Sequence, residues 1–157
     1  MSTKNDYSSE EWKAIASAPV AAGMFITLAD TSGPVGIAKE AMAVGRAITD
    51  AAQGPAPEIV KAIATSMKES GRPETPEIPM MAPRAKSKLA LTNTIRSAVD
   101  AVERHSPSEV EPYKQWLAAV AKKVAEAAKE GGFLGMGGTL VSQKEEEALK
   151  ELDAVLH

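Results

Sequence analysis

Cysteine is absent from the 157-residue chain, which excludes disulfides, thiolate metal sites and cysteine nucleophiles and fits a reducing compartment such as the cytoplasm. Aromatic residues make up only 4% and histidines number two, His105 and His157. That leaves no Glu-x-x-His or His-Glu-x-x-His motif for a metal, and too few rings to interleave with basic residues on a nucleic-acid surface. Neither sign of charge dominates: the formal net charge of −3 gives no global pull toward nucleic acid or anionic lipid. The uncharged run from Ala14 to Ala29 is too short for an ordinary membrane span. Asp6, Glu10 and Glu11 ahead of it are wrong for the positively charged start of a signal peptide. The expectation is a cytoplasmic protein without membrane or nucleic-acid partners.

What the chain has is alanine-led apolar content, 44% hydrophobic in all, enough to bury a core through close helix approach rather than bulky rings. Helix-start signals recur. Ser8 with Glu11, Ser106 with Glu109 and Ser142 with Glu145 all have capping-box spacing, and Pro107 stands in a first-turn position. The fold class that follows is all-α, a bundle of about six to seven helices. Arg72 to Pro83 holds Pro73, Pro76, Pro79 and Pro83 and reads as an extended linker over 72–84 between an N-terminal helical group (1–71) and a C-terminal one (85–157), the whole forming one compact body. Met80 and Met81 inside it are placed to cover an apolar groove.

Periodicity fills in the helices. Trp12, Ile15 and Ala16 share one side of a first helix, in which Pro19 marks a kink or a fresh start. A second runs from Pro34 to about Gln53, with Ala38, Ala41, Gly45, Ile48 and Ala52 forming a small-residue stripe read as its inner face. A third runs from Pro57 to Ser70, ended by Gly71. Leu91, Ile95, Ala98, Val99 and Val102 mark a helix ending at His105, and Val110, Tyr113, Leu117, Val120, Val124 and Ala127 mark the longest. The terminal helix buries Leu149, Leu152, Val155 and Leu156, with Lys144 to Glu147 solvated.

The loop Gly132, Phe133, Leu134, Gly135, Met136, Gly137 and Gly138, leading into Ser142, lacks a Gly-Lys-Ser/Thr signature. It reads as a structural loop, or else as a loop offering backbone N–H groups to an anion or an apolar surface to a partner. Arg84, Lys86, Lys88 and Arg96 form a local basic cluster without the signature of a nucleic-acid reader. No catalytic constellation and no cofactor motif appears, so the expectation is a non-enzymatic protein.

Helix, glycine loop, cap and glutamate recur at Leu28-Ala29-Asp30-Thr31-Ser32-Gly33 with Glu40 and at Gly137-Gly138-Thr139-Leu140-Val141-Ser142 with Glu145, and Trp12 and Trp116 precede them at equal spacing. This arrangement resembles the tellurite-resistance TerB-like helical proteins, although Met136 and Gly137 stand where the second loop of that family carries an acidic residue. The stretch Gly131 to Ser142 is also similar to small uncharacterised bacterial proteins. The TerB-like resemblance implies a stress protein binding a small ligand or a divalent cation, with Asp30, Glu40 and Glu145 as oxygen ligands. The residues themselves point first to protein–protein interaction or self-association, a homodimer included, through small-residue helix faces and the glycine loop. An enzyme without recognisable motif is the third expectation.

Overall fold

In the computed structural model, which describes residues 2–29, 34–79, 81–130 and 143–157, the described residues form six α-helices, two 3₁₀ turns and no strand. Five helix positions follow the sequence closely: α1 (Ser9–Thr27), α2 (Pro34–Gln53), α3 (Glu58–Ser70), α4 (Arg84–His105) and α6 (Gln143–Leu156). The remaining helix, α5 (Val110–Glu130), is preceded by a 3₁₀ turn over Pro107–Glu109. Ser8 caps α1 as a capping box, its hydroxyl accepting from Glu11 N at 3.2 Å while the Glu11 carboxylate accepts from Ser8 N at 2.9 Å. Gly71 ends α3 in the left-handed conformation at φ +75°, which only glycine adopts without strain.

α1 is the axis of the bundle. It packs most extensively on α4 and next on α5, with further contact to α2, α3 and α6. The two helical groups on either side of the proline segment are thus packed into one another. Ile15, Ala18, Ala21 and Ala22 are fully buried, and Trp12, Phe25 and Ile26 nearly so. Each large side chain sequestered this way contributes roughly 1.5–3 kcal/mol.

Pro19 lies inside α1 without ending it. A proline at that position has no N–H for the Ile15 carbonyl. The Tyr113 hydroxyl, carried in from α5, donates to that carbonyl at 3.0 Å in a buried hydrogen bond. Of a kink or a fresh start at Pro19, the fresh start is thereby excluded, because α1 runs on through it. Four residues on, a Cβ placed on Gly23 would lie 2.8 Å from Val44 Cγ2 and 3.2 Å from Val124 Cγ2, so glycine sets the approach of α1 to both α2 and α5.

The Ser106 and Glu109 spacing does not produce a second capping box. Ser106 makes no side-chain cap; its hydroxyl lies 2.6 Å from that of Ser2 and 3.1 Å from that of Tyr7. The Glu109 carboxylate accepts instead from Glu58 N at 2.7 Å and more weakly from Ile59 N at 3.4 Å, while its other oxygen accepts from the Ser2 hydroxyl. It thereby supplies the anion at the start of α3, whose own cap residue, Pro57, has no side-chain acceptor to offer. Tertiary contact has taken over from local capping.

The proline segment lies on the body as a strap. Lys13 on α1 pairs with Glu77, and Ile78 packs against the core. Met81 is fully exposed and covers no groove; Met80 lies outside the described residues. None of the described helices is long and apolar enough to cross a membrane.

Candidate functional site

α2 has small residues on both sides, and packing decides between them. Val44, Ala47 and Ile48 are buried with Glu40, and Ala43 and Ala51 rest on the core. Of the stripe read from the sequence as inward, Ala38 has no described side chain, and among the rest only Ile48 is buried: Ala41 and Ala52 are exposed and Gly45 half-exposed. Those residues face out instead and, with Met42, Thr49 and Met67, line an open groove of about 860 Å³ between α2 and α3. Met42 is 58% exposed, one of few large apolar side chains shown to solvent. Beside Gly45 there is open space, with nothing within 4 Å of where a Cβ would stand. Thr49 donates its hydroxyl to the Gly45 carbonyl at 2.9 Å, so the row makes no polar demand there. Arg46 and Asp50, both exposed, lie four residues apart beside this row, and Lys68 and Arg72 stand on the α3 side. A shallow apolar channel floored by small residues admits the backbone of another helix at close range.

Of the carboxylates expected to bind a cation, Glu40 and Glu145 are both buried, at 5% and 4% exposure, and Asp30 lies outside the described residues. Glu145 thus departs from the solvated run expected over Lys144 to Glu147. Thr27 donates its hydroxyl to the Glu40 carboxylate. Among the described residues no three metal-capable side chains come together. The loop residues Gly132, Phe133, Leu134, Gly135, Met136, Gly137, Gly138 and Ser142 lie outside the described residues as well.

The basic cluster is divided. Lys86 and Arg96 point to solvent, whereas Arg84 and Lys88 border a small hollow against α1 and α6. His105 at the end of α4 has its Nε2 3.3 Å from Glu11 Oε1 and sets its ring edge-on to Tyr7 at 5.2 Å between centroids. It helps to join the end of α4 to the start of α1.

A polar cleft between α1 and α4 runs beneath the strap, bordered by Glu11, Lys13, Glu77, Asn93, Ser97 and Asp100. Its charged groups are largely mutually satisfied, Lys13 by Glu77 and Glu11 by Arg104 at 3.1 Å. Against these, the α2–α3 groove is lined mainly by small and apolar residues, and the sequence missed it because periodicity alone gives the stripe but not its direction. No protein-family model matches the chain, and neither a curated protein nor a solved structure proves significantly similar to it.

Proposed function

We propose that the protein is a non-enzymatic interaction module that associates with a second copy of itself through the outer face of α2. The observation that carries this is the outward row Ala41, Gly45, Thr49 and Ala52, flanked by exposed Met42. Exposed methionine and small residues in one groove favour contact with another apolar helix. A second copy fits because the row is self-complementary. Two α2 helices crossing antiparallel, outer face to outer face and centred at the level midway between Arg46 and Asp50, bring Arg46 of each copy beside Asp50 of the other, while the small residues let the backbones approach. Association of this kind is isologous and closes as a dimer. The cysteine-free composition suits a cytoplasmic setting for it.

Charge reversal tests the pairing. Arg46→Asp alone sets like charges together and weakens the dimer, while Arg46→Asp combined with Asp50→Arg restores it. A double variant no better associated than the single one contradicts the antiparallel arrangement. Both residues are exposed, so the monomer fold tolerates the changes.

A further inference from the structure

The small hollow bordered by Arg84 and Lys88 has a different chemistry from the α2–α3 groove. The end of α1, the start of α4 and the first turns of α6 enclose a hollow of about 210 Å³. Its accessible apolar lining is Leu28 and Ala29, both half-buried, set over the buried Phe25 and Ala148. Three cations border it, Arg84 and Lys88 from α4 and Lys144 from α6. The carboxylates Glu147 and Glu151 stand beside them.

We propose that this hollow binds a small organic monoanion, a carboxylate carrying an apolar chain or ring. Lys88 is held in place by an ion pair with Glu151 and lies 5.3 Å from the centroid of the Phe25 ring, which sets one cation directly over the apolar lining. Arg84 and Lys144 make no ion pair among the described residues. Arg84 and Lys88 occupy the first two turns of α4, where the helix dipole disfavours cations, and that first turn contains no acidic residue. The three cations stand around one concavity, where a bound anion can meet all of them. Opposed by two carboxylates, they leave a single net positive charge, which suits a monoanion better than a dianion. The half-buried Leu28 and Ala29 ask for an apolar group on the same molecule, because covering them takes apolar surface out of water. The volume falls below the roughly 300 Å³ at which pockets for drug-sized ligands begin, so the occupant is small.

Calorimetric titration at fixed ionic strength tests this with benzoate, hexanoate, acetate and inorganic phosphate. Benzoate or hexanoate is expected to bind saturably, and acetate at least about tenfold more weakly, a difference of about 1.4 kcal/mol. Arg84→Gln with Lys144→Gln removes about tenfold or more of the affinity. Glu151→Gln, which releases Lys88, strengthens binding. Because Arg84 and Lys144 are exposed, the double variant keeps its melting temperature, separating loss of binding from loss of fold. The proposal is overturned by the absence of saturation with benzoate and hexanoate, by acetate binding equally well, by phosphate binding more tightly than either, or by a double variant with unchanged affinity.

Discussion

The Tyr113 hydroxyl and Pro19 answer one another across the α1–α5 interface: the proline leaves the Ile15 carbonyl without its helical donor, and the phenol donates to it at 3.0 Å. Burial pushes the Tyr113 phenol far above its ordinary range, so it stays protonated and remains a donor at any pH the fold survives. An uninterrupted helix and a buried tyrosine are thus two sides of one arrangement.

Tyr113→Phe is expected to destabilise the fold by about 1–3 kcal/mol, the cost of leaving a buried carbonyl without a partner. In a Pro19→Ala background, where residue 19 regains its N–H, the same change should cost much less. Denaturant unfolding of the four chains in the cycle measures the coupling. Equal costs in both backgrounds would show that the phenol does not serve the carbonyl.

Gly23 and Gly45 should respond oppositely to alanine. Gly23→Ala drives a methyl to 2.8 Å from Val44 Cγ2 and is expected to cost about 1–3 kcal/mol through overpacking, against the gain in helix propensity. Gly45→Ala meets open space and is expected to stabilise the monomer by up to about 1 kcal/mol. Thermal unfolding of both variants at low protein concentration decides it.

Glu109→Ala removes the acceptor at the start of α3 and the anchor of Ser2. A loss of about 0.5–2 kcal/mol is expected, the usual range for a helix start deprived of its cap. Hydrogen exchange should place the loss in the first turn of α3, as increased exchange at Glu58 and Ile59. Protection unchanged at those amides would contradict the capping role.

The acid side of the stability curve should depend on Glu11. The Ser8 backbone N–H, helped by His105 and by the Ser8 hydroxyl, holds its carboxyl below the ordinary glutamate value of 4.5. A depressed carboxyl contributes stability that is present above the ordinary value and is lost as pH falls through the folded one. Glu11→Gln should therefore flatten the fall in melting temperature below about pH 4.5. A variant as acid-sensitive as the parent would assign that sensitivity to other groups, Asp6 among them, whose carboxyl is lowered in the same way by Thr3.

Helix placement was legible in the chain because periodicity and end signals agree: Ser8 and Glu11 do cap α1, and Gly71 does end α3. Direction was not legible where both faces carry the same residue types. On α2, Ala43, Ala47 and Ala51 alternate with Ala41, Gly45 and Ala52, so hydrophobicity does not distinguish the inner face from the outer. Only Val44 and Ile48, packed below, decide which row turns to solvent. Ser106 and Glu109 misled for another reason, since a capping signal states what a side chain can do locally, and Ser2, Tyr7 and the start of α3 offered both residues other partners. Nor did spacing show that Arg84 and Lys88 meet Lys144, which lies far along the chain; that required α4 and α6 to pack together.

Sedimentation velocity over a concentration series, with the parent chain beside Gly45→Leu, decides whether the outer face of α2 is a self-association surface. The leucine enters open space in the monomer, so it obstructs a second helix without disturbing the fold. The parent is expected to move from the mass of one chain toward that of two as concentration rises, while the variant remains at one. A parent that stays at the mass of one chain throughout, or a variant that associates as readily as the parent, would contradict self-association through that face.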